Sequence, residues 1–439
     1  MSKLVKISAV LLLVALLLGG CAMRTVEDMY APPRRSAEYE DLQRAMDEAM
    51  AGMEYAPPLN GEYRQSVQTA DLNGDGSDEY LLFVKDTSDN PLKIMIFVRD
   101  VSGCHLWETV ECRGAAFDTV DYVDLDGKAG LELVVGRQVS NLILRTVSVY
   151  SFADAQVRQL MAVNYSRIVH VDLDANGNND LMIITRGESD EDNAVATLYS
   201  FEDGAMQRSG EARLSGSVDR IKRIMIGKLH GDVPAVYVAG NVNDSAITTD
   251  VFALRDGKFT NVSFSNENGT SVRTLRNYFV YADDIDSDGV LELPDLVDMK
   301  PVTQNPHTAG QCLIRWYAMD IMGREVHKMY TYHNFDSDWY LELDADLTSW
   351  LSVVQKDGNS IFYLWDDEFR NSEVLLTIEA LTGTDRELAQ NSEYRELHRA
   401  EGVVYAARVE ERAEEYGFTA QLLKERFHLI QTDWKNGET

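Results

Sequence analysis

A nine-residue acidic loop that recurs ahead of apolar runs constrains this 439-residue chain more than any other feature. DLNGDGSDE at 71–79 runs into Tyr80-Leu81-Leu82-Phe83-Val84. DLDGKAGLE at 124, DLDANGNND at 172 and DIDSDGVLE at 284 align with it without a gap, at starts 53, 48 and 112 residues apart. The last interval has room for two repeats, and near 228 the chain reads Gly227-Lys228-Leu229-His230-Gly231-Asp232 before PAVYVAG. This worn repeat keeps the leucine, the Gly-Asp pair and the strand, but not the first acidic positions. A fixed period of roughly 50 residues implies one supersecondary unit stacked several times. EYLLFVK, KIMIFVRD, CHLWETVEC and DTVDYVDLD follow the first loop, and Asp89-Asn90-Pro91, Asp203-Gly204 and Asp256-Gly257 are turn signals. The pattern predicts a mainly β chain: a β-propeller of about five four-stranded repeats, with five to seven blades possible. A strand over residues 63–70 is expected to close the ring by joining the last blade. A β-sandwich is the second choice, because it needs no internal period.

Like charges crowded into one turn repel unless a cation lies between them. An EF-hand would need a bidentate acid at loop position twelve and a helix after it. The twelfth positions here are Leu82, Val135, Ile183 and Asp295, whereas the ninth are Glu79, Glu132, Asp180 and Glu292. The closing ligand is therefore placed at nine, and the loop leads into a strand. Asp, Asn and Gly also favour tight turns with no ion, but turn chemistry does not require an acid at position nine each time.

With these residues in view, 60–345 resembles the FG-GAP and VCBS-type repeat proteins, such as the integrin α-chain propellers with D-x-D-x-D-G-x-x-D loops. The resemblance implies structural calcium held at positions one, three, five and nine, with a backbone carbonyl at seven. The implied ligands are Asp71, Asn73, Asp75 and Glu79; Asp172, Asp174, Asn176 and Asp180; and Asp284, Asp286, Asp288 and Glu292. At 124 the resemblance extends to Asp124, Asp126 and Glu132, but Lys128 and Ala129 replace the fifth ligand and the glycine. Counted by charge, affinity is expected to be highest at 284, equal at 71 and 172, and lowest at 124. The flanking Phe-Gly and Gly-Ala-Pro signatures are missing, so the comparison supports the loop and not the integrin's ligand-binding role.

Lys3 and Lys6 precede an apolar run from Ile7 to Leu18, then Leu18-Gly19-Gly20-Cys21. Twelve residues are too few to cross a bilayer, which takes about 20, and fit a signal peptide. Leu-Gly-Gly-Cys resembles the bacterial lipobox, which implies residues 1–20 as a lipoprotein signal peptide and lipid attachment at Cys21. The resulting protein would be extracytoplasmic and anchored to a bacterial membrane. Residues 21–58 read as a tether and an amphipathic helix capped by Ser36, with Tyr39, Leu42, Met46, Ala49 and Met53 on one face. Residues 59–345 are the repeats, and 346–439 read as a small α+β domain whose last helix carries Leu423, Phe427, Ile430 and Trp434. Cys104 and Cys112 flank HLWETVE, as a possible disulfide between strands of one hairpin or as two free thiols.

A net charge of −31 excludes a nucleic-acid partner, because phosphate binding needs Lys and Arg clusters. No G-x-S-x-G, H-E-x-x-H, P-loop or C-x-x-C occurs. His327 and His333, six apart in a strand-like stretch, are expected on one face without a third ligand. The reading favours a calcium-stabilised module that binds a protein or glycan, with a polysaccharide- or peptidoglycan-acting enzyme, or an architectural envelope component, as alternatives.

Overall fold

The computed structural model describes residues 37–139, 144–153, 156–187, 192–243, 246–277, 280–299, 312–365 and 372–430. The signal peptide, Cys21, the tether, Ser36, the Cys312 side chain and Trp434 lie outside them. The fold is mainly β: among the described residues six antiparallel sheets of four or five strands follow one another along the chain, none closed into a barrel. The first contains Val67–Ala70, Glu79–Lys85, Leu92–Asp100 and Gly103–Cys112, with Glu54–Tyr55 added beside Glu79–Lys85. The second runs Ala116–Val123, Glu132–Gln138, Arg145–Ser151, Arg158–Tyr165, and the third Arg167–Val171, Asp180–Thr185, Val195–Glu202, Ala205–Arg213. The fourth is Ile221–Leu229, Val233–Asn243, Ala246–Arg255, Lys258–Asn261. Asp203-Gly204 and Asp256-Gly257 both take positive φ, the twist that a two-residue hairpin turn needs.

The phase of the repeat differs from the expectation. Val67–Ala70 does not join the last sheet but pairs with Glu79–Lys85, its own neighbour. Likewise 116–123, expected as the fourth strand of the first repeat, opens the second sheet. The loops at 71, 124 and 172 thus connect the first two strands of their sheets, whereas the loop at 284 leads into strand Leu293–Asp298 and is closed by the isolated bridge between Asp283 and Glu292.

Neighbouring sheets share cores in chain order. Leu81, Phe83, Ile94 and Ile96 of the first pack with Phe117, Leu133 and Val135 of the second, and Val134, Val147 and Val149 with Leu181 and Ile183 of the third. Met182 and Ile184 meet Val236 and Phe252, and Tyr237 and Val251 meet Leu293 and Tyr317. Strand alternation makes this possible: odd and even residues face opposite neighbours, so both faces must be apolar. The other face of the first sheet, Leu82, Val84, Met95 and Phe97, is covered by helix Ala37–Ala49 through Leu42 and Met46. Asp41 ties that helix down by accepting the Cys104 N–H at 2.6 Å, a bond that lowers the Asp41 pKa.

The fifth sheet comprises Leu293–Asp298, Cys312–Met319, Glu325–Asn334, Trp339–Leu343 and Phe427–Leu429. The sixth orders its strands Leu351–Lys356, Asn359–Leu364, Glu373–Thr382, Val403–Val409, Tyr394–Ala400. One core joins the two: Leu313, Tyr332 and Trp339 touch the cluster of Phe362, Leu376, Ile378 and Phe418. The C-terminal helix, capped by Thr419, ends at Arg426 rather than running on. Phe427 and Ile430 are buried, but the chain there is extended and pairs with Trp339–Leu343.

Cys104 and Cys112 are free and buried. Both lie on the single strand Gly103–Cys112, where eight residues span roughly 26 Å, far beyond disulfide reach. His327 and His333 are also separated. Trp316 pairs with Met329 and Tyr317 with His327, so a bulge at Lys328 breaks the alternation between them. His327 lies exposed against Tyr330, whereas His333 is buried and stacked on Tyr340.

Candidate metal centres

The residue before loop position one pairs with position nine in all four acidic loops: Ala70 with Glu79, Val123 with Glu132, Val171 with Asp180, and Asp283 with Glu292. Pairing at these points buries the position-nine acid at the foot of the loop. Its second oxygen accepts the backbone N–H of position two: Leu72 at 2.8 Å, Leu125 at 3.0 Å, Leu173 at 3.2 Å and Ile285 at 3.1 Å. Position one is held by N–H groups of the turn, as at Asp172, which accepts from Asn176 at 3.1 Å and Gly177 at 2.9 Å. Position six takes positive φ at Gly76, Gly177 and Gly289. At 124 the left-handed residue is Gly130 instead, one place later, because Ala129 would carry a Cβ into that conformation. Position four is also left-handed, even as Ala175 and Ser287, which no residue preference reveals.

The loops are joined to one another. Leu131 N–H donates to Asp71 O at 3.0 Å, Asn179 N–H to Asp124 O at 3.0 Å, and Leu291 N–H to Lys228 O at 3.1 Å. Position eight of one loop thus binds position one of the repeat before it. The worn repeat keeps this acceptor, although its hairpin closes tightly from Leu229 to Val233 and holds no acidic loop.

Carboxylate oxygens converge within 4.8 Å of one another in three loops: Asp124, Asp126 and Glu132; Asp172, Asp174 and Asp180; and Asp284, Asp286 and Glu292. At 71 the amide of Asn73 donates to Glu79 at 2.6 Å, and Asp75 accepts from Ser77 N–H at 2.8 Å on the outer side of the turn. Burial raises the pKa of Glu79, Glu132 and Asp180, against the N–H bonds that lower it. It pushes Glu292 furthest, up to about 7.

These sets consist of hard oxygen donors, the donor type that hard divalent cations take. The loop at 172 fits such an ion best: its three carboxylates meet with no ammonium of the described residues among them, and Asn176 stands at the fifth position. At 124, Lys128 Nζ lies 2.9 Å from Asp126 and over the Phe201 ring, but its side chain is 57% exposed and free to swing out. At 284, Lys328 Nζ reaches Asp286 at 3.1 Å, Glu292 at 3.6 Å, and Asp288. Burial opposes its charge, but the bonds to Asp288 and Asp286 and the Glu292 charge outweigh burial and raise its pKa. Sequence reasoning missed Lys328 because it reaches the loop only by strand pairing. Beside this loop a cleft of about 370 Å³ is lined by Asp283, Asp286, Tyr340, Glu342 and His428. His428 Nε2 lies 2.7 Å from Glu342 there.

Calcium in excess over a chelator should raise Tm, and Asp172→Ala should remove most of that rise. A site with Kd of roughly 0.1–1 mM, in millimolar calcium, contributes about 0.5–1.5 kcal/mol. Differential scanning calorimetry measures it, and an unchanged calcium response in Asp172→Ala would exclude this loop.

No family model matches the chain, and no curated protein matches it either. Among solved structures, an exotype rhamnogalacturonan lyase is similar over 75% of this chain at 10% identity and a TM-score of 0.28. The chain spans 66% of that enzyme's length. Among the described residues no helix is long and apolar enough to cross a membrane.

Proposed function

We propose that this chain is a lipid-anchored, extracytoplasmic calcium-binding module of propeller type, with its six sheets as blades, that presents a surface to a protein or glycan partner. The observation that carries the reading is the repeated loop-to-loop hydrogen bond, which fixes the acidic loops to successive sheets in one register. A divalent ion in such a loop neutralises carboxylates that burial has made costly to ionise, and so stiffens the connection on which the next loop rests. The cation's role in this reading is structural. Face-to-face cores in chain order are what adjacent blades require, and the face of the first sheet that a closed ring would pack on the last is covered by helix Ala37–Ala49. The anchor rests on Leu-Gly-Gly-Cys21.

A second reading, an enzyme acting on polysaccharide or peptidoglycan, draws on the acidic cleft, where Asp283 and Glu342 lie outside the proposed ligand set. One experiment separates the two. Cys21→Ser should move the protein from the membrane to the soluble fraction with its fold intact, and that soluble form can be sedimented with insoluble peptidoglycan and polysaccharides in calcium. Retention without new reducing ends supports the binding module. Release of reducing ends supports the enzyme, and retention of the Cys21→Ser protein in salt-washed membranes would overturn the anchor.

A further inference from the structure

We propose that Lys328 is the resident cation of the loop at 284, so that this loop holds its carboxylates together without a metal and the calcium response belongs to the loop at 172. The loop at 284 carries the most acidic ligand set in the sequence, and charge counting alone ranks it first. Tertiary structure reverses that order.

The first argument is how the lysine gets there. Every sheet with an acidic loop has a bulge at the same place, in the pairing of the second and third strands after the loop: Trp107, Leu160, Ser209 and Lys328 are the extra residues. The bulge is part of the repeat, and only in the fifth sheet is its residue cationic. A bulge redirects the side chain it inserts, and this one places an ammonium against Asp286, Asp288 and Glu292. The side chain is only 18% exposed, unlike that of Lys128.

The second argument concerns Glu292. On the adjoining strand, one register step beyond Leu133–Tyr150 and Leu181–Tyr199, stand Ser151 and Ser200, whose hydroxyls favour the charged forms of Glu132 and Asp180. At 71 the Asn73 amide serves Glu79. The residue equivalent to these serines in the fifth sheet is Ala318, one step beyond Leu293–Tyr317. Glu292 is fully buried, and its Oε1 has no hydrogen-bond donor. The group facing that oxygen is Lys328 Nζ at 3.6 Å. The loop has therefore lost the hydroxyl that its counterparts use and gained a fixed positive charge in the same space. An ammonium and a divalent ion cannot share a cage of this size, because their repulsion is unscreened there.

The assignment of the calcium response to 172 rests on the calcium reading above; the role of Lys328 does not. The test measures Tm in chelator and in calcium, with calorimetric counting of calcium sites, for the wild type, Asp172→Ala, Asp284→Asn, Lys328→Gln and Lys328→Gln/Ala318→Ser. Lys328→Gln should lower Tm in chelator, since three facing carboxylates lose their counter-charge, and should bind one more calcium per chain than the wild type. Adding Ala318→Ser should restore part of the Tm lost in chelator by giving Glu292 a donor, which separates a local charge effect from general misfolding. Asp284→Asn should leave the wild-type site count unchanged. If calcium binds nowhere in the wild type, a site gained by Lys328→Gln still supports the proposal. It is overturned if Asp284→Asn removes a wild-type site, or if Lys328→Gln, folded, gains none.

Discussion

Trp339→Ala is expected to destabilise the protein by about 3–5 kcal/mol, the cost of a large aromatic removed from a core that cannot collapse around the void. Trp339 is fully buried, stacks on Phe427 with centroids 5.4 Å apart and lies 5.7 Å from Tyr332. Its strand is paired on one side with Glu325–Asn334 and on the other with the C-terminal Phe427–Leu429. The same core continues into Phe362 and Leu376 of the sixth sheet and Phe418 just ahead of the C-terminal helix. The substitution should therefore lower the stability of the fifth and sixth sheets together, as one transition at a lower denaturant midpoint. Urea unfolding followed by fluorescence and by circular dichroism checks this. Two separated transitions, with only one displaced, would show that the residues after 345 unfold on their own.

The second large effect is acid destabilisation through His333. This ring is buried, takes part in a 2.9 Å hydrogen bond with Thr331, and packs between Phe335 and Tyr340. Burial pushes its pKa down to about 3. The unfolded chain, with histidine near its usual 6.5, binds the proton that the folded chain refuses. Full stability is therefore present above about pH 6.5 and is lost as pH falls toward 3, with a slope approaching 1.4 kcal/mol per pH unit. Roughly 3 kcal/mol should be gone by pH 4. Glu292, whose carboxyl is held high, contributes with the opposite sign, because the folded state favours its proton. The difference between wild type and His333→Phe isolates the histidine. Equal slopes between pH 6.5 and 4.5 would mean that His333 is not the group responsible.

The sequence by itself determined the loops and the class of fold. Nine contiguous residues carry the donors, the left-handed glycine and the acid whose backbone pairs at the foot of the turn, so every necessary interaction is local and survives in the letters. The apolar runs between them needed only a period of two and a turn signal to be read as strands, and the apolar stripe of helix Ala37–Ala49 was equally legible. Tertiary structure decided everything that depends on which strand meets which. Val67–Ala70 could be assigned to the first sheet only by its pairing, because a four-residue strand carries no address of its own. The helix pattern through Phe427 and Ile430 was overruled by an open edge at Trp339–Leu343. Cys104 and Cys112 could not bridge once they lay on a single strand. Lys328 follows Glu292 by 36 residues in the chain, yet a single bulged residue brings its charge to the middle of the acidic loop. Charge acts through space and not along sequence, so the loop with the most carboxylates is the one in which the fold has already placed a cation.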